Sequence, residues 1–225
     1  MENEKLENIK GIVASRVDCA AHSMDHIMRV YNLCMNLARG EDVDLEVLRA
    51  AALLHDVGGP AEMADPSGKI DHAVVGAETA GSILEELGFG KEKIKHIQDC
   101  IVSHRYRTDN KPKTKEAEIL FDADKLDMLG AIGIARGYAW VGKNNASFYK
   151  KINNIEEYIN DNLGGKINGR LRDKTKHSVQ AQYETKAKFI KDKLYTEKAR
   201  QIAKERTEYF KKFLDRLEEE IEGKL

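Results

Sequence analysis

Apolar residues recur along the chain at three- and four-residue intervals, the spacing that places them on one face of a helix. Around 23–39 the pattern predicts one helix. The next, over 44–57, is apolar almost all round through Leu45, Val47, Leu48, Ala51, Ala52, Leu53 and Leu54, as a central, buried helix would be. It runs into His55-Asp56-Val57 and then Gly58-Gly59-Pro60, a combination that stops a helix. The stretch 60–70 has turn composition and reads as a loop. Helices are predicted over 71–88, closed by Gly88, and over 91–105. After the polar loop TDNKPKTK another begins near 116. Region 142–176, rich in Asn, Gly and Lys, reads as a mobile excursion. A last helix aligns Ala199, Ile202, Ala203, Phe210, Phe213, Leu214, Leu217 and Ile221 on one core-facing stripe. With three prolines in 225 residues, and no repeat or linker, the chain reads as all-α. It is expected to form one compact helical bundle over 1–225, with core motifs in 20–140 and a C-terminal helical extension in 141–225.

Charge narrows the possibilities. The formal net charge is −1, with acidic and basic residues interspersed, so a dedicated nucleic-acid binder is not expected. No apolar run reaches the roughly 20 residues of a membrane-spanning helix, and the N-terminus MENEKLENIK lacks the apolar centre of a secretory signal. Cys19, Cys34 and Cys100 show no C-x-x-C spacing and read as reduced packing residues of a cytoplasmic protein.

The informative residues are polar ones in places where a helix should bury apolar groups. His22, Asp25, His26 and Arg29 share one helical face. His55 and Asp56 arrive directly after Ala-Ala-Leu-Leu, where an ionised carboxylate needs a cation or strong donors nearby. Leu120, Asp124, Asp127 and Ala131 form a stripe with two carboxylates in it, and His104 continues the stripe of Ile97 and Ile101. Each alone has a plain alternative: a hydrogen-bonded core histidine, or a carboxylate paired with a basic neighbour. Together, imidazoles and carboxylates from separate helices suggest a metal site in the bundle core. Mixed nitrogen and oxygen donors suit Mn, Fe, Co, Ni or Zn better than Ca or Mg.

The order His26, then His55-Asp56, then Asp124 resembles the signature of the HD-domain superfamily of metal-dependent phosphohydrolases. The stretches HSMDHIMRV (22–30), AALLHDVGG (51–59) and FDADKLDMLGAIGIARGY (121–138) carry the likeness. The last is similar to a small stand-alone bacterial and archaeal branch of the YedJ and YpgQ type, with a weaker echo over 189–214. The resemblance implies that His26, His55, Asp56 and Asp124 hold one divalent metal, Mn²⁺ or a similar cation. It also implies hydrolysis of nucleoside or deoxynucleoside triphosphates to monophosphate and pyrophosphate by metal-activated water. His72 and His104 stand where a second metal or the substrate would be contacted, and Asp56 would then be the bridging ligand.

Within that scheme Arg29 could hold a phosphate through its donor fork, with Lys125 as a companion cation. Asp127 could orient the water or take a proton, or pair with Arg29 or a ligand histidine. Asp25 reads as supporting a ligand and His22 as reaching substrate or ligand. His96 and His177 read as uncommitted, and Arg105 and Arg107 as solvated residues at a helix end or as an extension of a phosphate-binding wall. The partner expected is a phosphorylated small molecule, with a homodimer possible through the C-terminal helix. Two rival readings stay open: a non-catalytic nucleotide sensor, and di-iron oxygen chemistry on the same scaffold.

Overall fold

A computed structural model describes residues 2–16, 23–105, 110–167 and 169–225 of the chain. Every regular element among them is helical. The chain divides into two compact units, Met1–Asp124 and Lys125–Leu225.

The first unit is built around α3 (Leu45–Leu54), which packs against α1 (Glu2–Arg16), α2 (Met24–Leu37) and α6 (Lys91–Ser103). Asp44 starts α3 by accepting from the backbone N–H groups of Glu46 (2.9 Å) and Val47 (3.2 Å). Residues Val47, Leu48 and Ala50–Leu54 are buried, so α3 is the central helix its composition predicts; Leu45, in the first turn, is exposed instead. Helix α1 carries a thinner signal, with Leu6, Ile9 and Val13 buried on one face.

Two expectations change here. The stretch 60–70 is not loop throughout, because α4 (Gly59–Ala64) occupies its first part. Pro60 lies in the first turn of α4, where a missing N–H costs no hydrogen bond, so a residue that reads as a stop here opens a helix. The loop that follows is organised by Asp65, whose carboxylate accepts from the backbone of Ser67, Lys69 and Ile70. Helix α5 (His72–Glu86) then packs on α4 and α6, and Gly88, at φ +68°, ends the segment. Helix α7 (Lys115–Leu126) carries Ile119, Leu120 and Ala123 into the core.

In the second unit α8 (Gly130–Lys143) packs against α10 (Val179–Thr185) and α11 (Glu197–Ile221). The α11 stripe is shorter than predicted. Ala199, Ala203, Phe210 and Leu214 are buried with Thr207, while Ile221 is exposed. The Asn-, Gly- and Lys-rich region contains α9 (Ile155–Leu163), capped by Asn154 and ended by Gly164 at φ +66°. Its asparagines tie backbone together. Asn162 accepts from Asp173 N (2.8 Å) and donates to Asp173 O (3.1 Å), which closes the following loop.

Candidate metal centre

The six candidate ligands converge in the first unit, and the local sequence explains how each gets there. His26 belongs to the apolar stripe of α2 with Val30, Cys34 and Leu37, and is buried with them. His55 caps the C-terminal end of α3, with no exposed surface, and Asp56 follows it. His104 likewise caps α6, and His72 is the first residue of α5. Asp124 lies in the last turn of α7. Between Asp56 and His72 the approach depends on Gly58. A Cβ there would stand 2.2 Å from the His72 carbonyl oxygen and 2.6 Å from Gly76 N, so only glycine lets α5 start beside the His55-Asp56 turn.

The ligand atoms of His26, His55 and Asp124 lie within 4.8 Å of one another, as do those of Asp56, His72 and His104. Asp56 faces both groups. Its Oδ2 is 3.4 Å from Nε2 of His26 and 3.4 Å from Nε2 of His55. Its Oδ1 is 3.5 Å from Nε2 of His72 and 3.6 Å from Nε2 of His104. Asp124 Oδ1 stands 3.4 Å from His26 Nε2.

The protons decide what this cluster can hold. His55 Nδ1 lies 2.9 Å from Ala52 O and His104 Nδ1 lies 2.5 Å from Ile101 O. A carbonyl oxygen can only accept, so both Nδ1 atoms carry hydrogen, and each ring, when neutral, has its lone pair at Nε2. His72 Nδ1 meets the Glu62 carboxylate, with the same consequence. Burial and the neighbouring His104 hold the His72 pKa below its ordinary value, which keeps that ring neutral. Three nitrogen lone pairs therefore face carboxylate oxygens in a buried space, an arrangement that fits a divalent cation. Burial alone would raise the Asp56 carboxyl, but positive charge at His55 and donation from His104, His26 and His55 outweigh it and hold the group well below its usual range. Donation from Nε2 of rings already protonated at Nδ1 requires imidazolium, and a metal ion at the same place supplies that charge without it.

The other candidates are more scattered. Arg29 is half-buried on α2, whereas Asp25 is exposed; His22 and Arg107 lie outside the described residues. Lys125 and Asp127 are buried. Helix α7 ends at Leu126 and Gly130 has φ +66°, so the stripe drawn from Leu120 to Ala131 is interrupted and Asp127 lies beyond the helix. Its carboxylate is ion-paired with Arg136 at 2.5 Å.

Some residues acquire roles that sequence reasoning passed over. Arg105 is not a solvated helix end: it bonds Glu62 (2.8 Å) and Asp71 (2.6 Å). Neither of those acids stood out, because their partner comes from a distant part of the chain. His96 bonds Thr114 (3.0 Å) at the approach to α7, and His177 packs against Trp140 and bonds Tyr158. Cys34 and Cys100 are buried free thiols that burial pushes up in pKa, Cys100 to about 12, as befits packing residues.

Histidines and aspartates from five helices thus meet around one shared carboxylate, Asp56. The sequence matches the HD domain family over residues 24–129, and the chain belongs to the HD superfamily of hydrolases. Its relatives include YpgQ of Bacillus subtilis, 26% identical over 99% of this chain and 96% of that protein. MJ0778 of Methanocaldococcus jannaschii is 32% identical over 48% of this chain and 68% of its own. Among solved structures, an HD-superfamily hydrolase from Bacillus thuringiensis superposes with a TM-score of 0.71, at 26% identity and 99% coverage of both chains. The fold is thus all-α and of the HD type. No helix among the described residues is long and apolar enough to cross a membrane.

Proposed function

We propose that this chain is a divalent-metal-dependent phosphohydrolase acting on nucleotides, converting a nucleoside or deoxynucleoside triphosphate to its monophosphate and pyrophosphate. The observation that carries the reading is Asp56, whose two oxygens each face a different pair of imidazoles. His26, His55, Asp124 and Asp56 Oδ2 would hold one ion, and His72, His104 and Asp56 Oδ1 a second. Mn²⁺ is the first choice, and the same donors accommodate Fe, Co, Ni or Zn.

When bound, such ions polarise a phosphoryl oxygen and lower the pKa of water at the site. The protein's own groups set the conditions for that chemistry. Asp56 would be the residue shared by the two positions. His55 and His104, each locked to a carbonyl of its own helix, keep their Nε2 lone pairs aimed inward without a rearrangement on binding. Burial of His26, His55 and His104 excludes water from one side, while the partly exposed side chains of Asp124 and His72 mark the open side. Arg29 is the proposed phosphate contact, with Lys125 as a second cation. Asp127 would accept a proton only on release from Arg136. The structure of YpgQ is of a complex with ADP, which supports a nucleotide as the substrate class to test first.

Metal-stripped protein, reloaded with Mn²⁺ and offered a panel of nucleotides, should yield monophosphate and pyrophosphate on chromatography, and Asp124→Ala should yield none. Nucleoside plus phosphate from monophosphates would replace this reading with a nucleotidase. No turnover with Mn²⁺, Co²⁺, Ni²⁺ or Fe²⁺, despite a nucleotide-dependent rise in Tm, would favour a sensor. The paired donor groups also suit di-iron oxygen chemistry, which two iron ions retained through purification would favour.

A further inference from the structure

His55 and His104 are oriented from within their own helices. Each follows the last residue of a helix and finds a carbonyl three residues earlier to accept its Nδ1 proton. His72 has no such carbonyl, because it opens α5 and no turn precedes it. Its Nδ1 proton goes instead to Glu62, ten residues earlier in α4, which also accepts from the His72 backbone N–H at 3.3 Å. The other Glu62 oxygen accepts from Arg105 Nη2 at 2.8 Å. Arg105 Nη1 reaches Asp71 Oδ1 at 2.6 Å, and Asp71 in turn caps α5 by accepting from Ala73 N at 2.9 Å. One guanidinium, from the residue after His104, therefore ties α4 to the start of α5.

We infer that Glu62 is the positioning residue of the second ion position, holding His72 with Nε2 toward Asp56, and that Arg105 holds Glu62 in place. The inference deepens the metal-dependent function proposed above and rests on it. The two ion positions then differ in kind. Around the first, His55 is fixed by its own helix; around the second, one of three donors depends on a carboxylate brought in by a six-residue helix. A carboxylate on Nδ1 also makes Nε2 a stronger donor, so losing it weakens the ligand as well as loosening it. Affinity for the second ion should be the more easily lost.

Calorimetric titration of the metal-stripped chain with Mn²⁺ tests this directly. The wild type should take up two ions. Glu62→Ala should weaken the second by about 10- to 100-fold and leave the first unchanged. Glu62→Gln, whose side-chain carbonyl still accepts from Nδ1–H, should recover most of that loss. Arg105→Gln should show a smaller loss in the same direction, and keeps the test open should circular dichroism show that Glu62→Ala does not fold. The inference is overturned by an unchanged second affinity in Glu62→Ala, by equal weakening of both ions, or by a wild type that binds only one. Two ions bound with the expected dependence on Glu62, but no nucleotide hydrolysed, would sink the proposed activity and leave the positioning role standing.

Discussion

The Nε2 atoms of His72 and His104 lie 3.3 Å apart, and both stand beside Oδ1 of Asp56. Each ring has committed its hydrogen at Nδ1, to Glu62 in one case and to Ile101 O in the other. With both rings neutral, the fold holds two nitrogen lone pairs together beside the Asp56 carboxylate.

Asp56→Asn should therefore stabilise the metal-free protein while abolishing metal binding. The amide donates where the carboxylate only accepts, and one added buried hydrogen bond contributes about 1 kcal/mol. In a chain of this size that corresponds to a rise of about 2–4 °C in Tm, read by thermal unfolding in chelator. Added Mn²⁺ should raise the Tm of the wild type and leave the variant unmoved. A variant less stable than wild type in chelator would mean that protons already satisfy Asp56.

Gly58→Ala tests the close approach of α5. Its Cβ would sit among backbone atoms of His72 and Gly76, which cannot rotate away as a side chain can. A cost of about 1–3 kcal/mol is expected, with weaker metal retention because His72 moves. Urea unfolding and metal analysis would check both, and a wild-type result in each would refute the packing argument.

Asp127 and Arg136 separate a structural role from a catalytic one. Arg136→Ala removes one ion-pair partner from a buried carboxylate and should destabilise by about 2 kcal/mol, below the range for fully buried pairs because Arg136 is partly exposed. Asp127→Asn tests catalysis. A loss of turnover at unchanged Tm would assign Asp127 to the chemistry, and parallel losses would make the pair a strut.

In the second unit His177 gives stability a pH dependence. Burial, with the nearby Lys186 charge, holds its pKa down at about 4, and its Nδ1 accepts from the Tyr158 hydroxyl at 2.7 Å. Between 6.5 and 4 the unfolded imidazole binds a proton that the folded one refuses. Stability from this group is thus full above about pH 6.5, falls as the pH drops, and levels off below 4, a total of about 3 kcal/mol. His177→Phe should flatten the profile in that window in urea unfolding at stepped pH. An unchanged slope would place the dependence elsewhere.

How much of this could be read from the sequence differs between the fold and the site. The long helices announced themselves because periodicity is a local property, and α3 was legible as the buried centre from its composition alone. Helix α4 was not, since a proline in a first turn looks the same in sequence as one that ends a helix. In the sequence His26 stands with His22, Asp25 and Arg29 on one face, while His104 continues the apolar stripe of Ile97 and Ile101; the burial of His26 beside Val30 and Cys34 is visible only in the fold. Glu62 and Arg105 gave no such sign. Each is an ordinary charged residue until the fold brings 62 and 105 together, and no periodic pattern encodes that meeting. The same holds for His177, whose environment of Trp140 and Tyr158 comes from two other helices.

Helices α3 and α6 both end at the cluster, at His55 and His104, and so turn the same pole toward it. The carbonyl end of a helix carries about half a negative charge. The opposite pole, at the start of α5, stands beside the carboxylates of Asp71 and Glu62. These helix ends and carboxylates together make a field that favours a cation over an anion. Under the proposed function, assembly would acquire a direction from this: an ion would load first and reverse the local field, and only then would an anionic substrate meet attraction. Nucleotide titrated into chelated protein should give no heat, and chelation of a loaded complex should release both.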